Sequence, residues 1–98
     1  MKADSCSQAL GVGYWVALTL PEGVAPLRSY VGQVQATDEY GVRITLVQWL
    51  TGTATGYDLF VPWEHIQSAL VATPEHDIKG FAEDAGRWQS ALNKKQDQ

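Results

Sequence analysis

Residues 30–71 read YVGQVQATDEYGVRITLVQWLTGTATGYDLFVPWEHIQSALV, and this stretch decides the fold. Val42, Ile44, Leu46 and Leu50 alternate with Arg43, Thr45, Val47 and Trp49. A period of two belongs to a strand whose two faces meet different surroundings. The alternation sends the first set, with Gln48, toward a core and the second set outward. Ahead of this strand, Asp38-Glu39-Tyr40-Gly41 reads as a turn, with Gly41 expected at positive φ. A further strand over residues 28–37 puts Gly32, Val34 and Ala36 on one face. Val31, Gln33, Gln35 and Thr37 fall on the other. Gly32 inside a strand marks a bend, a bulge or a close backbone approach. Residues 51–56, TGTATG, read as a hairpin loop of small residues. A phosphate-cradling role would want a helix N-terminus after it, and a strand follows instead. The fourth strand takes residues 57–61. Pro62-Trp63-Glu64-His65 makes one helical turn, and a fifth strand runs over residues 66–71 with Ile66 and Leu70 on one face.

Working outward, Tyr14, Val16, Leu18 and Leu20 alternate with Trp15, Ala17 and Thr19, which predicts a first strand over residues 14–20. Pro21 ends it, because proline cannot donate to a central ladder. Residues 21–26 form a loop. Gly11 and Gly13 precede a strand rather than a helix, so they are no dinucleotide-binding fingerprint. Residues 1–12 read as a flexible tail and residues 13–93 as a single small domain. After residue 72 the period changes. Thr73 suits an N-cap and Pro74 the first helical position, predicting a helix over residues 74–93. Glu75 and Asp77 fall in its first turn, where the helix dipole favours carboxylates. Ile78, Phe81, Ala82, Ala85, Trp88 and Leu92 recur at helical spacing. Lys79, Glu83 and Arg87 share another face at i,i+4 steps. Gly80 and Gly86 each cost about 1 kcal/mol relative to Ala, so the helix needs its apolar face docked. Residues 94–98 are expected to fray.

The 98 residues carry 7 Lys and Arg against 11 Asp and Glu, a formal net charge of −4. That balance disfavours both nucleic acid and anionic membrane surfaces, which are held through Lys and Arg. No apolar run reaches the roughly 18–20 residues of a membrane-spanning helix, and the first residues lack the long apolar core of a secretory signal. The single cysteine, Cys6, has no His or helix N-terminus beside it and reads as an incidental thiol. One cysteine fits a reducing cytoplasm. Four Trp, four Tyr and two Phe are generous for this length.

Residues 30–71 resemble the Sm-like branch of the SH3-type small β-barrels. The family pairs a glycine in the second strand with an aspartate at the following turn, here Gly32 and Asp38, ahead of the alternation Val42, Ile44, Leu46. Its second motif is a short apolar strand, a turn and an apolar strand start, here Leu59-Phe60-Val61-Pro62 leading to Ile66. With the first strand added, the resemblance spans roughly residues 14–71. It implies a mainly β fold, a five-stranded SH3-like (Sm-like) barrel followed here by a C-terminal α-helix. It also implies oligomers joined through edge strands four and five. The family's RNA pocket needs an asparagine after the first turn and an arginine-glycine pair in the second motif. Gly41-Val42 and Val61-Pro62 stand there instead, so RNA binding does not carry over. The usual N-terminal helix is missing too.

Gly32-Gln33-Val34 and the turn from Pro62 to Ile66 also resemble the plasmid-borne, tetrameric type of dihydrofolate reductase. Its catalytic Val-Gln-Ile-Tyr segment falls on Asp58-Leu59-Phe60-Val61, where the glutamine and tyrosine are absent, so that activity does not transfer. The general make-up is similar to orphan single-domain proteins of bacterial mobile gene cassettes.

The candidate binding or interface set is aromatic: Trp15, Val47, Trp49 and Phe60 on the outer strand faces, Trp63 in the turn, and Phe81 and Trp88 on the helix. Contiguous outer apolar surface calls for a covering element, a partner subunit, or a ligand. All three readings stand at this point, with a homo-oligomer, a protein or a small molecule as the partner. His65 beside Glu64 lacks a third partner. His76 lacks a ligand four residues on, where Gly80 stands. No catalytic constellation, metal site or cofactor motif is expected. The sequence therefore points to a non-enzymatic binding or assembly module. The alternatives are RNA binding by analogy, or a small oligomeric enzyme whose site, lined by Gln48, Tyr57 or His65, lies at a subunit axis.

Overall fold

A computed structural model of the chain describes residues 10–25, 27–48 and 53–96. Five strands and one helix follow in order: β1 (Trp15–Thr19), β2 (Ser29–Thr37), β3 (Gly41–Val47), β4 (Ala54–Pro62), a single 3-10 turn (Trp63–His65), β5 (Ser68–Ala72) and α1 (Ile78–Gln96). The fold is mainly β. The strands form one antiparallel sheet in the order β4-β3-β2-β1-β5.

The expected barrel does not close. Among the described residues no ladder joins β4 to β5, and the sheet stays open between them. Val24 and Ala25 from the β1–β2 loop and His65 from the 3-10 turn stand against Leu59, Phe60, Val61 and Pro62 of β4. β5 is only five residues long, and each of them already pairs with β1.

Each face of the sheet buries its own apolar layer. One layer holds Val16, Leu18, Leu20, Val34, Val42, Ile44, Val61, Trp63 and Ile66. Leu10 also packs there, only 3% exposed, so burial begins ahead of the expected domain start at residue 13. The second layer lies under α1 and holds Ala17, Val31, Val47, Ala72, Phe81 and Ala85. Hence β1 is buried on both faces, from Val16 to Thr19.

Four local expectations change. The β2–β3 register shifts between Val34 and Ala36, so Ala36 pairs with the exposed Arg43 and leaves the Gly32–Val34 face. One extra residue in a bulge reverses the alternation beyond it. Gly41 is not among the positive-φ residues. Asp38 Oδ1 closes that turn by accepting the Tyr40 and Gly41 N–H groups at 2.7 and 3.0 Å. Glycine is needed at position 41 for space, since an added Cβ would fall on the Val61 carbonyl oxygen. β4 begins at Ala54 rather than 57, with Gly56 at φ +88 where the β3–β4 register slips. Leu70 packs in the helix layer, whereas Ile66 packs in the other.

The helix starts later than expected. Thr73 to His76 form a closed turn, with the His76 N–H donating to Thr73 O. Asp77 is the residue that caps α1, accepting the Gly80 N–H on Oδ2 at 3.1 Å. Cys6 and the expected tail through residue 9, Trp49 and Leu50, and residues 97–98 lie outside the described residues.

Candidate functional site

The outer aromatic set is distributed rather than gathered. Phe81 and Val47 are buried where α1 meets the sheet, and Trp15 and Trp88 flank them, partly buried. The chain's own helix therefore covers that face. Trp63 is 3% exposed in the opposite layer, its indole Nε1 donating to Asp38 O at 2.7 Å. It presents no surface. Phe60 is 50% exposed. Trp49 is outside the described residues.

Phe60 stands on the rim of a groove of about 280 Å³ at the open seam. Its walls are Leu20, Val24 and Ala25 on one side and Leu59, Val61 and Pro62 on the other, with His65 at the end. The strand alternation explains the arrangement. Val61 lies across from Val42 and points into the core, whereas Phe60 lies across from Arg43 and points outward. The 3-10 turn then carries His65 back toward the groove. His65 Nε2 lies 3.9 Å from Glu64 Oε1, beyond hydrogen-bonding distance.

β4 is the edge of the sheet, nine residues long, and pairs with β3 alone. Tyr57 and Phe60 project from it, exposed. Its one charge, Asp58, is engaged on the β3 side, accepting Thr45 Oγ1 at 2.8 Å with Arg43 Nε 3.7 Å away. The other edge, β5, reads SALVA and has no charge.

The chemistry of this region is apolar contact and backbone pairing. Among the described residues no three His, Cys, Asp or Glu side chains come together, and no helix is long and apolar enough to cross a membrane. Glu75, in the turn before α1, has a shifted acidity. The Thr73 hydroxyl holds its carboxyl below the ordinary value of 4.5, helped by a backbone hydrogen bond and, more weakly, by His76.

The sequence reading missed Val24, Ala25 and Leu59 as lining residues. Two apolar residues within the loop that Pro21 opens were the available signal. Nothing in the alternation shows that this loop folds over β4. No family model, curated protein or solved structure matches the chain.

Proposed function

We propose that this chain is a non-enzymatic assembly module, an Sm-like variant of the SH3-type fold, that self-associates through the edges of its sheet. The observation that carries the reading is the pair of outer strands, β4 and β5, each paired on one side within the described sheet. β4 offers nine residues with Tyr57 and Phe60 exposed, and β5 offers five uncharged residues. Edges without lysine or a central proline can template pairing with another chain. The strand order, with Gly32 inside β2 and Asp38 at the β2–β3 turn, supports the likeness. Joining β4 of one copy to β5 of the next is head-to-tail, so it builds a ring or a filament rather than a two-fold dimer. One cysteine suits the reducing cytoplasm, where this reading places the module.

Light scattering coupled to size exclusion tests this. The wild type is expected to exceed the monomer mass, and Phe60→Glu with Tyr57→Lys to return it to the monomer. A wild type that stays monomeric at high concentration refutes the reading. So does an edge variant with unchanged mass, or salt-sensitive RNA binding at physiological ionic strength.

The groove favours a second reading, a small apolar ligand held between Val24 and Phe60. Its mark is a set of chemical-shift changes at Val24, Leu59, Phe60 and His65 with a small aromatic probe, without a change in mass.

A further inference from the structure

The two apolar layers differ in how well their polar atoms are satisfied. Among the described residues, four buried side-chain atoms have no hydrogen-bond partner: Trp15 Nε1, Thr19 Oγ1, and both Nε2 and Oε1 of Gln89. All four belong to the layer under α1. Trp15 flanks that layer and Ala17 lies in it, so Thr19, two residues further along β1, shares their face. Gln89 follows Ala85 by one helical turn on the buried stripe and is 5% exposed. The opposite layer has no such orphan, and its one indole is bonded to Asp38.

A buried amide or hydroxyl without a partner loses its hydration and gains nothing in return. Opening the interface restores those bonds to water, so these groups favour undocking. The helix adds little resistance of its own, with Gly80 and Gly86 inside it. Its fully buried apolar side chains are Phe81, Ala82 and Ala85, one large and two small, with Ile78 and Trp88 only partly buried beside them. The connection over residues 73–77 is exposed throughout, so no buried contact tethers the hinge. The strand ladders and the opposite core layer, by contrast, are built without α1 residues.

We infer that α1 is a releasable cover: it opens locally, ahead of the sheet, and uncovers the Trp15, Ala17, Val31 and Val47 face. Amide hydrogen exchange on the full chain tests this directly. Amides of α1 between residues 82 and 92 are expected to exchange at least about tenfold faster than those of β1 and β2. Gln89→Leu replaces the orphan amide with an apolar side chain of similar size. It is expected to slow α1 exchange by about tenfold relative to wild type. Thr19→Val, which removes only the hydroxyl, is expected to act in the same direction. Equal protection of α1 and β1 in the wild type overturns the inference. Faster α1 exchange in Gln89→Leu, or loss of its fold, also overturns it, because the amide would then be holding the interface together.

Discussion

Gly32→Ala tests a close packing relation in the middle of the sheet. A Cβ at position 32 would stand 2.5 Å from the Thr45 carbonyl oxygen, 3.1 Å from its carbon and 3.2 Å from Ile44 Cδ1. The isoleucine methyl can rotate away, but the carbonyl belongs to the β2–β3 ladder, where Gln33 pairs with Thr45 and Gly32 with Leu46. Relief requires moving the two strands that carry Val34 and Ile44, both fully buried. Overpacking of this kind costs about 1–3 kcal/mol. The stiffer unfolded chain returns about 0.4–1 kcal/mol. The net loss is then roughly 1–2 kcal/mol, and at 4–8 °C for each kcal/mol the melting midpoint falls by roughly 5–15 °C. Thermal melts followed by circular dichroism read this, with urea titrations at unchanged slope confirming a native-state effect. Gly80→Ala is the control. Its nearest neighbour is Asp77 Oδ2 at an ordinary 3.7 Å. The gain in helix propensity, about 1 kcal/mol, should raise or preserve the midpoint. A Gly32→Ala protein as stable as wild type would refute the close-approach argument.

Trp63→Phe should destabilise the chain by about 2–3 kcal/mol, because it empties part of the core and removes the donor to Asp38 O; chemical denaturation measures it. Glu75 has a lowered pKa, so its contact with Thr73 supports the fold above the ordinary value of 4.5 and is lost as pH falls through the lower folded value. Glu75→Gln should therefore lower the melting midpoint slightly at neutral pH, flatten the acid limb between about pH 5 and pH 3, and meet the wild type at lower pH.

The strands of this fold were legible because their two faces meet different surroundings. Val42 and Ile44 against Arg43, and Val16 and Leu18 against Trp15 and Ala17, report their faces by period alone. The helix was legible from Phe81, Ala85 and Trp88, but Thr73-Pro74 reads as its start, and the capping side chain is Asp77, four residues on. Three things were not legible. The bulge at Val34–Ala36 has no glycine or proline to announce it, and it changes what Ala36 faces. Barrel closure depends on how the β1–β2 loop folds back, and no residue pattern encodes that distance. Burial of Trp63 rests on a bond to Asp38, a partner 25 residues away. Of the candidate surface only Phe60 was both foreseen and found exposed. The groove beside it is a product of tertiary packing between Val24 and Pro62.

The position of β1 has a consequence for the order of assembly. The meander β2-β3-β4 joins neighbours in sequence and can zip as soon as it is made, but Trp15 meets Ala72 and Thr19 meets Ser68. The strand nearest the start of the chain thus waits for one of the last, and long-range pairing of this kind is slow. While the chain emerges from the ribosome, β1 can hold only its β2 side. Its other edge, with Val16 and Leu18 in the core, stays open until residue 72 has been added. That interval is the time at which this small domain is most exposed to pairing with the wrong strand.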